Sequence, residues 1–356
     1  MTASGTFSKK AGAGAQKGTT STKPINLALQ GGGAHGAFTW GVLDRLLASG
    51  RITVSAISGT SAGAINAVVA ADGIMAGGRK GARKALHDFW RSISEAARMS
   101  PVKRTLLDAL WGNWNLDYSP GYLAMDAIGR LASPYQLNPL NINPLRDLID
   151  ELVDFKRVRS CDRLKLFISA TSVQTGQVRV FRRKELTADT IMASACLPQL
   201  FQAVRIDGED FWDGGFSGNP VLYPFAYYAE APDVVIVQIN PLCCQKTPTT
   251  ARDILNRVNE ITFNASLLNE LRAIEFVGRQ IDRGNLDSKR YKKLFIHMIA
   301  DPEGFEPLNA SSKLNADWQF LCHMRDMGAA AAGRWLDEHY DKIGRQASVD
   351  VRGLLH

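Results

Sequence analysis

Ser61 lies in the pentapeptide Gly59-Thr60-Ser61-Ala62-Gly63, between an apolar segment at 54–58 and a helix-forming segment. Gly-x-Ser-x-Gly between a strand and a helix is typical of a nucleophile elbow, in which the serine hydroxyl is exposed on a sharp turn. The small residues Gly59 and Gly63 would let the neighbouring backbone approach closely. Serine is also a common helix N-cap, so the pentapeptide alone leaves a purely structural turn open as an alternative.

A second glycine-rich turn, Gly31-Gly32-Gly33-Ala34-His35-Gly36, follows the apolar segment 25–30 and leads into another helix-forming segment. Backbone N–H groups at a helix N-terminus can bind the oxyanion of a tetrahedral intermediate, and Gly32 and Gly33 would offer them without side chains in the way. The spacing Gly-x-Gly-x-x-Gly also matches the dinucleotide-binding fingerprint. That function requires an acidic residue at the end of the second strand, where this chain has residues 59–63 instead. The pattern favours a hydrolase, and a dinucleotide-binding oxidoreductase is the weaker alternative.

A carboxylate is a better candidate than a histidine for the base that would activate Ser61. None of the histidines occupies an obvious loop beyond a late strand; they are His35, His87, His297, His323, His339 and His356. Asp213 follows a strand-like segment at 201–212 and precedes Gly214 and Gly215, which allow a sharp turn near a ligand. A carboxylate can act directly as a general base if it lies about 2.6–3.2 Å from the hydroxyl. A simple loop turn is the alternative for Asp-Gly-Gly.

Four separated segments resemble, in order and spacing, the motif blocks of patatin-like phospholipases. They are residues 31–36, residues 59–63, Ala193-Ser194-Ala195-Cys196-Leu197-Pro198 and Asp213-Gly214-Gly215. The resemblance covers residues 25–240 and implies a lipid acyl hydrolase with a Ser–Asp dyad, in which Ser61 is the nucleophile and Asp213 the base. It implies an oxyanion hole in the 31–36 turn, and the residues assigned to the hole and to motif support are Gly31, Gly32, Gly33, Gly36, Gly59, Gly63, Gly214 and Gly215. The chain departs from the family at His35, where the family often has Lys or Arg.

The resemblance leaves the ester open. Phospholipid is the family-level expectation, but neutral glycerides, thioesters and hydroxyalkanoate polyesters would use the same dyad. A non-catalytic lipid-binding protein with the same fold is the alternative function. No metal or organic cofactor is expected.

Strand–turn–helix units are predicted to position these motifs. Apolar segments at 25–30 and 54–59 are each followed by a helix, and Gly50 and Gly73 are predicted to end those helices. Further strands are predicted within 164–183, with a Thr175-Gly176 turn, and at 233–240 and 293–300. Two consecutive units indicate a parallel sheet covered by helices. With the resemblance, the predicted fold class is α/β, a three-layer α/β/α arrangement with a mostly parallel central sheet, a helical insertion and a helical C-terminal region.

Three regions are predicted along the chain. Residues 1–24 form a disordered polar and basic tail, residues 25–240 the catalytic core, and residues 241–356 a mostly helical region packed on the same domain. Within the core, residues 79–155 form a cap-like helical insertion rich in large apolar side chains: Trp90, Trp111, Trp114, Tyr118, Tyr122 and Met125. These residues could form a lid that contacts acyl chains or a lipid surface, or they could be ordinary core.

Charge and cysteine content restrict the partners. The 356-residue chain has a formal net charge of +7, but four lysines lie in the acid-free segment 1–24, which leaves +3 for the rest. A nearly balanced folded region does not favour a nucleic-acid partner; a lipid or other ester substrate is expected, and peripheral contact with lipid surfaces is an open alternative. Five cysteines without metal-site spacing predict reduced thiols and a cytoplasmic location.

Overall fold

An eight-stranded sheet forms the centre of the structure, a computed structural model that describes residues 22–244 and 246–355. Five strands pair in parallel in the order β3–β2–β1–β7–β8, β4 and β6 pair antiparallel with β3, and β5 pairs antiparallel with β6. The strands are β1 (Lys23–Leu29), β2 (Ile52–Gly59), β3 (Lys165–Ser172), β4 (Val178–Arg182), β5 (Val204–Ile206), β6 (Glu209–Asp213), β7 (Asp233–Val237) and β8 (Phe295–Ile299). The prediction of a mostly parallel sheet is confirmed.

Helices cover both faces of this sheet. They are α1 (Gly36–Ser49), α2 (Ala62–Ala96), α3 (Leu106–Leu110), α4 (Pro120–Leu131), α5 (Pro134–Leu137), α6 (Pro144–Leu152), α7 (Phe155–Ser160), α8 (Ala188–Ser194), α9 (Tyr223–Tyr228), α10 (Ala251–Asp282), α11 (Pro302–Phe305), α12 (Trp318–His339) and α13 (Val351–Leu355). Successive strand residues point to opposite faces: Leu27 and Leu29 pack with α1, α2 and α12, whereas Ala28 packs with α9 and α10. Two apolar cores therefore sandwich the sheet, and the predicted three-layer α/β/α class is confirmed.

Strand β6 lies in line with β2, and this arrangement decides where Asp213 is placed. Phe167 and Ile168 of β3 pair with both β2 and β4, so those two strands occupy opposite edges of β3. Ala170 pairs with both β4 and β6, so β6 must share the β2 edge. The carboxyl ends of β2 and β6, which carry Gly59 and Asp213, therefore point toward each other from opposite directions.

Two boundary predictions are wrong. Lys23 and Pro24, assigned to the disordered tail, begin β1, and Lys23 Nζ donates to the Tyr340 carbonyl at 2.9 Å; residues 1–21 of that tail lie outside the described residues. Gly73 does not end α2, which continues to Ala96 through a kink at Gly77 and Gly78. A Cβ at Gly73 would lie 2.5 Å from Ala82 Cα, so this glycine permits the chain to pack closely against itself across the kink.

The C-terminal region packs on the same domain. Helix α12 packs along α1, and β8 extends the sheet beyond β7. His297 is fully buried in β8 and hydrogen-bonds to Asp233 and Ser348, each at 3.0 Å. No helix within the described ranges combines the length and apolar character needed to span a membrane.

Candidate active site

Ser61 occupies the sharp turn between β2 and α2. Its backbone has φ 54° and ψ −122°, a conformation that is sterically unfavourable for a residue with a Cβ and often marks a functional site. The turn is fixed from two sides, because the Ser61 N–H donates to Ser194 Oγ at 2.9 Å and Thr60 Oγ1 donates to the Gly218 carbonyl at 2.7 Å. The surrounding fold therefore holds the strained residue in place.

The glycines of both motifs lie where no side chain would fit. A Cβ at Gly59 would lie 2.6 Å from the Gly63 carbonyl oxygen, and a Cβ at Gly63 would overlap the Leu29 carbonyl. A Cβ at Gly31 would lie 2.6 Å from Ser61 Cβ, and one at Gly36 would lie 2.6 Å from Ala62 Cβ. The two turns are therefore in direct contact, and larger residues would separate them.

The three glycines assigned to the oxyanion hole differ in what their N–H groups do. The Gly31 N–H donates to Asn219 Oδ1 at 2.7 Å, so Gly31 belongs to the turn without offering its own N–H to an oxyanion. The Gly32 and Gly33 N–H groups make no hydrogen bond to any described residue, and Gly32 lines the pocket around Ser61. Gly33 has φ 57°, which favours glycine.

Asp213 ends β6 and is 1% exposed. Its N–H donates to the Cys196 carbonyl at 2.8 Å, and its Oδ1 accepts from the Gly215 N–H at 2.7 Å. Its Oδ2 is buried without a hydrogen-bond partner among the described residues. Burial raises the pKa of Asp213 to about 6, although the Gly215 N–H, the nearby Ser61 hydroxyl and the Lys313 ammonium favour the carboxylate.

Gly214 and Gly215 allow the chain to turn immediately after this carboxylate. A Cβ at Gly214 would overlap the Ser169 carbonyl, and a Cβ at Gly215 would overlap the Phe263 ring. Both glycines are therefore required by close packing around Asp213.

The segment that ends α8 is hydrogen-bonded to the backbone of both candidate residues. Ser194 accepts from the Ser61 N–H, and the Cys196 carbonyl accepts from the Asp213 N–H. The Cys196 thiol itself has its pKa raised to about 12 by burial and by Asp213, so it stays protonated. The resemblance includes this segment but assigns no role to Ser194, because an isolated serine at a helix end has no distinctive pattern.

No histidine lines the pocket around Ser61 within residues 22–244 and 246–355. His35 is 3% exposed, and its Nε2 lies 2.8 Å from Ser312 Oγ. Burial and the nearby Lys313 lower its pKa well below the usual value, which favours the neutral ring. None of the histidines that the structure describes is therefore placed to pair with Ser61.

The pocket around Ser61 encloses about 350 Å³ and is lined largely by apolar side chains. Its lining residues include Gly32, Ser61, Tyr122, Met125, Asp126, Arg130, Leu197, Leu200, Asp213, Phe216, Phe263, Lys313 and Leu314. Tyr122 and Met125 belong to the predicted insertion, whereas Trp90 of the same region is buried in the core. The insertion therefore contributes both to the core and to the pocket.

Lys313 and Asn240 also lie at this site, although no sequence pattern indicated them. Lys313 Nζ donates to Asn240 Oδ1 at 2.8 Å, and Asn240 Nδ2 donates to the Gly31 carbonyl at 2.8 Å. Both residues follow the motif blocks by many positions, and only the folded chain brings them to the glycine turn.

Comparison with known proteins identifies the family to which this chain belongs. VipD from Legionella pneumophila is similar at 15% identity and a TM-score of 0.41, with 90% of this chain and 68% of that chain covered. The type III effector protein ExoU is similar at 13% identity and a TM-score of 0.33, with 88% of this chain and 53% of that chain covered. The sequence model described as patatin-like phospholipase matches residues 27–226, more than half of the chain. The chain therefore belongs to the patatin-like phospholipase family.

Proposed function

We propose that this protein hydrolyses carboxylic esters of lipids through a Ser61–Asp213 dyad. The observation that supports the proposal most is that Asp213, a buried carboxylate with one oxygen lacking a hydrogen-bond partner among the described residues, lines the same pocket as the strained Ser61. A general base needs a pKa near the working pH, and a pKa of about 6 leaves Asp213 ionised at pH 7. Family membership supports a lipid acyl hydrolase in general.

The reaction proceeds in two halves. Asp213 accepts the hydroxyl proton while Ser61 Oγ attacks the ester carbonyl carbon, and the carbonyl electron pair moves onto oxygen, where the Gly32 and Gly33 N–H groups bind it. The intermediate expels the alcohol, which takes the proton from Asp213. Water, deprotonated by Asp213, then attacks the acyl-serine and releases the carboxylic acid, and Ser61 recovers its proton.

Covalent labelling by a fluorophosphonate tests this proposal against a non-catalytic lipid-binding protein. The wild-type chain should be labelled and should hydrolyse a short-chain ester, while Ser61→Ala should lose both activities. Ser160→Ala, at an exposed serine of α7, is the matched control and should behave as wild type. A folded protein that is never labelled, or a Ser61→Ala variant that still turns over ester, would contradict the dyad.

The apolar insertion supports a second part of the proposal, that the protein takes its substrate from a lipid surface. Helix α4 contributes Tyr122 and Met125 to the pocket, and the same helix exposes Leu131, whose exposed fraction is 89%. Neighbouring segments expose Leu110, Trp111 and Leu140. Large exposed apolar groups around a pocket mark interaction sites, and here the same helix contributes to the pocket and to the exposed apolar surface.

A further inference from the structure

Lys313 brings a positive charge into the Ser61 pocket, and that charge has no directly bound counter-ion among the described residues. It belongs to the 3-10 turn Ala310–Leu314, outside the 27–226 segment that matches the family. Among the described residues, the Lys313 ammonium donates one side-chain hydrogen bond, to the neutral amide oxygen of Asn240, and forms no ion pair with a carboxylate. An ammonium has three N–H donors, so two are left for a ligand.

Holding this ammonium away from bulk water is costly, and the cost lowers its pKa. Burial lowers the pKa of Lys313, and the carboxylates of Glu260 and Asp213 oppose the shift only from a distance. A cation in such a position is stabilised when an anion binds directly to it. The site is therefore electrostatically complementary to an anionic group.

The other cationic or basic groups nearby are already engaged. Arg130, which also lines the pocket, pairs with Asp126 at 3.1 Å, and the His35 imidazole is bonded to Ser312. The rest of the pocket wall is dominated by apolar side chains such as Phe216 and Leu200. One available cation in an apolar pocket fits a lipid whose chain lies on that wall and whose anionic group reaches Lys313.

We propose that Lys313 is a specificity residue that binds the phosphate of a phospholipid next to Ser61, so that phosphate-bearing esters are favoured over neutral esters. This inference rests on the proposed hydrolase function, and it selects among the esters that the dyad alone would accept. The alternative role is positional, because Lys313 reaches the Gly31 carbonyl through Asn240. A positional role would affect every ester equally.

Hydrolysis of a matched substrate pair separates the two roles. We expect Lys313→Met to lower kcat/KM for dihexanoyl phosphatidylglycerol about tenfold to a hundredfold more than for dihexanoylglycerol, the range of a hydrogen bond to a charged group, because loss of the Lys313 charge near Asp213 should affect both substrates alike. Lys313→Gln keeps a donor for Asn240 but removes the charge, so it should show the same selective loss. Lys80→Gln, at an exposed position of α2, controls for net charge. Equal losses on both substrates would overturn the proposal while leaving the hydrolase function intact.

Direct binding gives a readout that does not depend on turnover. In a Ser61→Ala background, calorimetry should detect binding of an ether-linked dihexyl phosphatidylglycerol. Lys313→Gln should weaken that binding by about tenfold to a hundredfold. The affinity for the matched neutral ether lipid, dihexylglycerol, should not change with this substitution. Inorganic phosphate should bind far more weakly than the lipid; if it binds as tightly, the site recognises free phosphate and the proposal is wrong.

Discussion

Asp213 is the residue where the proposed function and stability conflict most directly. This carboxylate is 1% exposed, and one of its oxygens has no hydrogen-bond partner in the described part of the chain. Ionising it is therefore costly, which is why burial raises its pKa to about 6. A surface carboxylate would titrate near pH 4 and would be a weak base at neutral pH. The burial that would suit Asp213 to the proposed proton transfer therefore also reduces the stability of the folded chain.

The sign of this effect gives a pH-dependent prediction for Asp213→Asn. The unfolded chain ionises this carboxyl near its usual pKa of about 3.9, whereas the folded chain retains the proton up to about pH 6. The stability of the wild type should therefore fall as pH rises from about 4 to 6 and stay reduced above it. The Asp213→Asn variant carries no ionisable group at this position and avoids that loss. It should therefore be inactive but more stable than wild type at pH 8, by up to roughly 3 kcal/mol.

Guanidinium denaturation at pH 4.5 and pH 8 measures the difference. The advantage of the Asp213→Asn variant should be small at the lower pH and full at the higher one. Asp162→Asn, at an exposed aspartate, should change stability little at either pH. An Asp213→Asn variant that is less stable than wild type at pH 8 would mean that the ionised carboxylate is stabilising in place.

Residues with a local pattern could be predicted, and residues defined by tertiary contacts could not. Ser61 and Asp213 follow from a strand-to-helix turn and an Asp-Gly-Gly turn, each visible within a few positions. Ser194, Asn219 and Lys313 are single polar residues whose partners are 133, 188 and 73 positions away. The engagement of the Gly31 N–H by Asn219 was missed for the same reason.

At the scale of elements, periodicity predicted which segments are strands and helices but not how the strands are ordered. The strand-like segment at 201–212 forms β5 and β6, joined by a turn at Asp207 and Gly208, which both have positive φ. The alignment of β6 with β2 depends on β3 pairing with three strands at once, and no property of a single segment indicates it. Gly73 was misassigned because a close helix contact and a helix end both select glycine.

The contact between α1 and α12 is a further place where only glycine fits. A Cβ at Gly328 would overlap the Phe38 carbonyl, and a Cβ at Gly41 would overlap the Arg325 carbonyl. Both clashes involve helix backbone, which cannot rotate away as a side chain can. We expect Gly328→Ala to lower the free energy of unfolding by about 1–3 kcal/mol, the usual cost of overpacking.

Thermal or chemical denaturation measures that effect, with Gly129→Ala of α4 as the matched control. A Cβ at Gly129 meets no heavy atom within 4 Å, so alanine there should stabilise the helix by up to about 1 kcal/mol. If Gly328→Ala lowers and Gly129→Ala raises the free energy of unfolding, the loss at Gly328 comes from helix packing rather than from alanine itself. A neutral Gly328→Ala would show that α12 can shift away from α1 without cost.

At the scale of the whole molecule, large exposed apolar residues are concentrated between residues 99 and 142. This segment includes Met99, Leu107, Leu110, Trp111, Tyr118, Leu123, Ile128, Leu131, Tyr135, Leu137, Leu140 and Ile142. The sequence left open whether such residues form core or a lipid-facing cap. The structure buries Trp90 but leaves Trp111 80% exposed, so the predicted insertion divides between core and exposed surface.

If this surface docks on lipid, replacing its most exposed side chains should weaken membrane binding without altering the chemistry at Ser61. Burying one large apolar side chain contributes about 1.5–3 kcal/mol, so Leu110→Ser with Trp111→Ser should reduce binding to phosphatidylcholine–phosphatidylglycerol vesicles by at least about tenfold. Co-sedimentation measures the binding, and hydrolysis of a soluble short-chain ester should stay at the wild-type rate because neither residue lines the pocket. Tyr227→Ser, which is 75% exposed in α9, is the control and should bind vesicles normally. Undiminished vesicle binding by the double variant would mean that the protein meets its lipid through another surface.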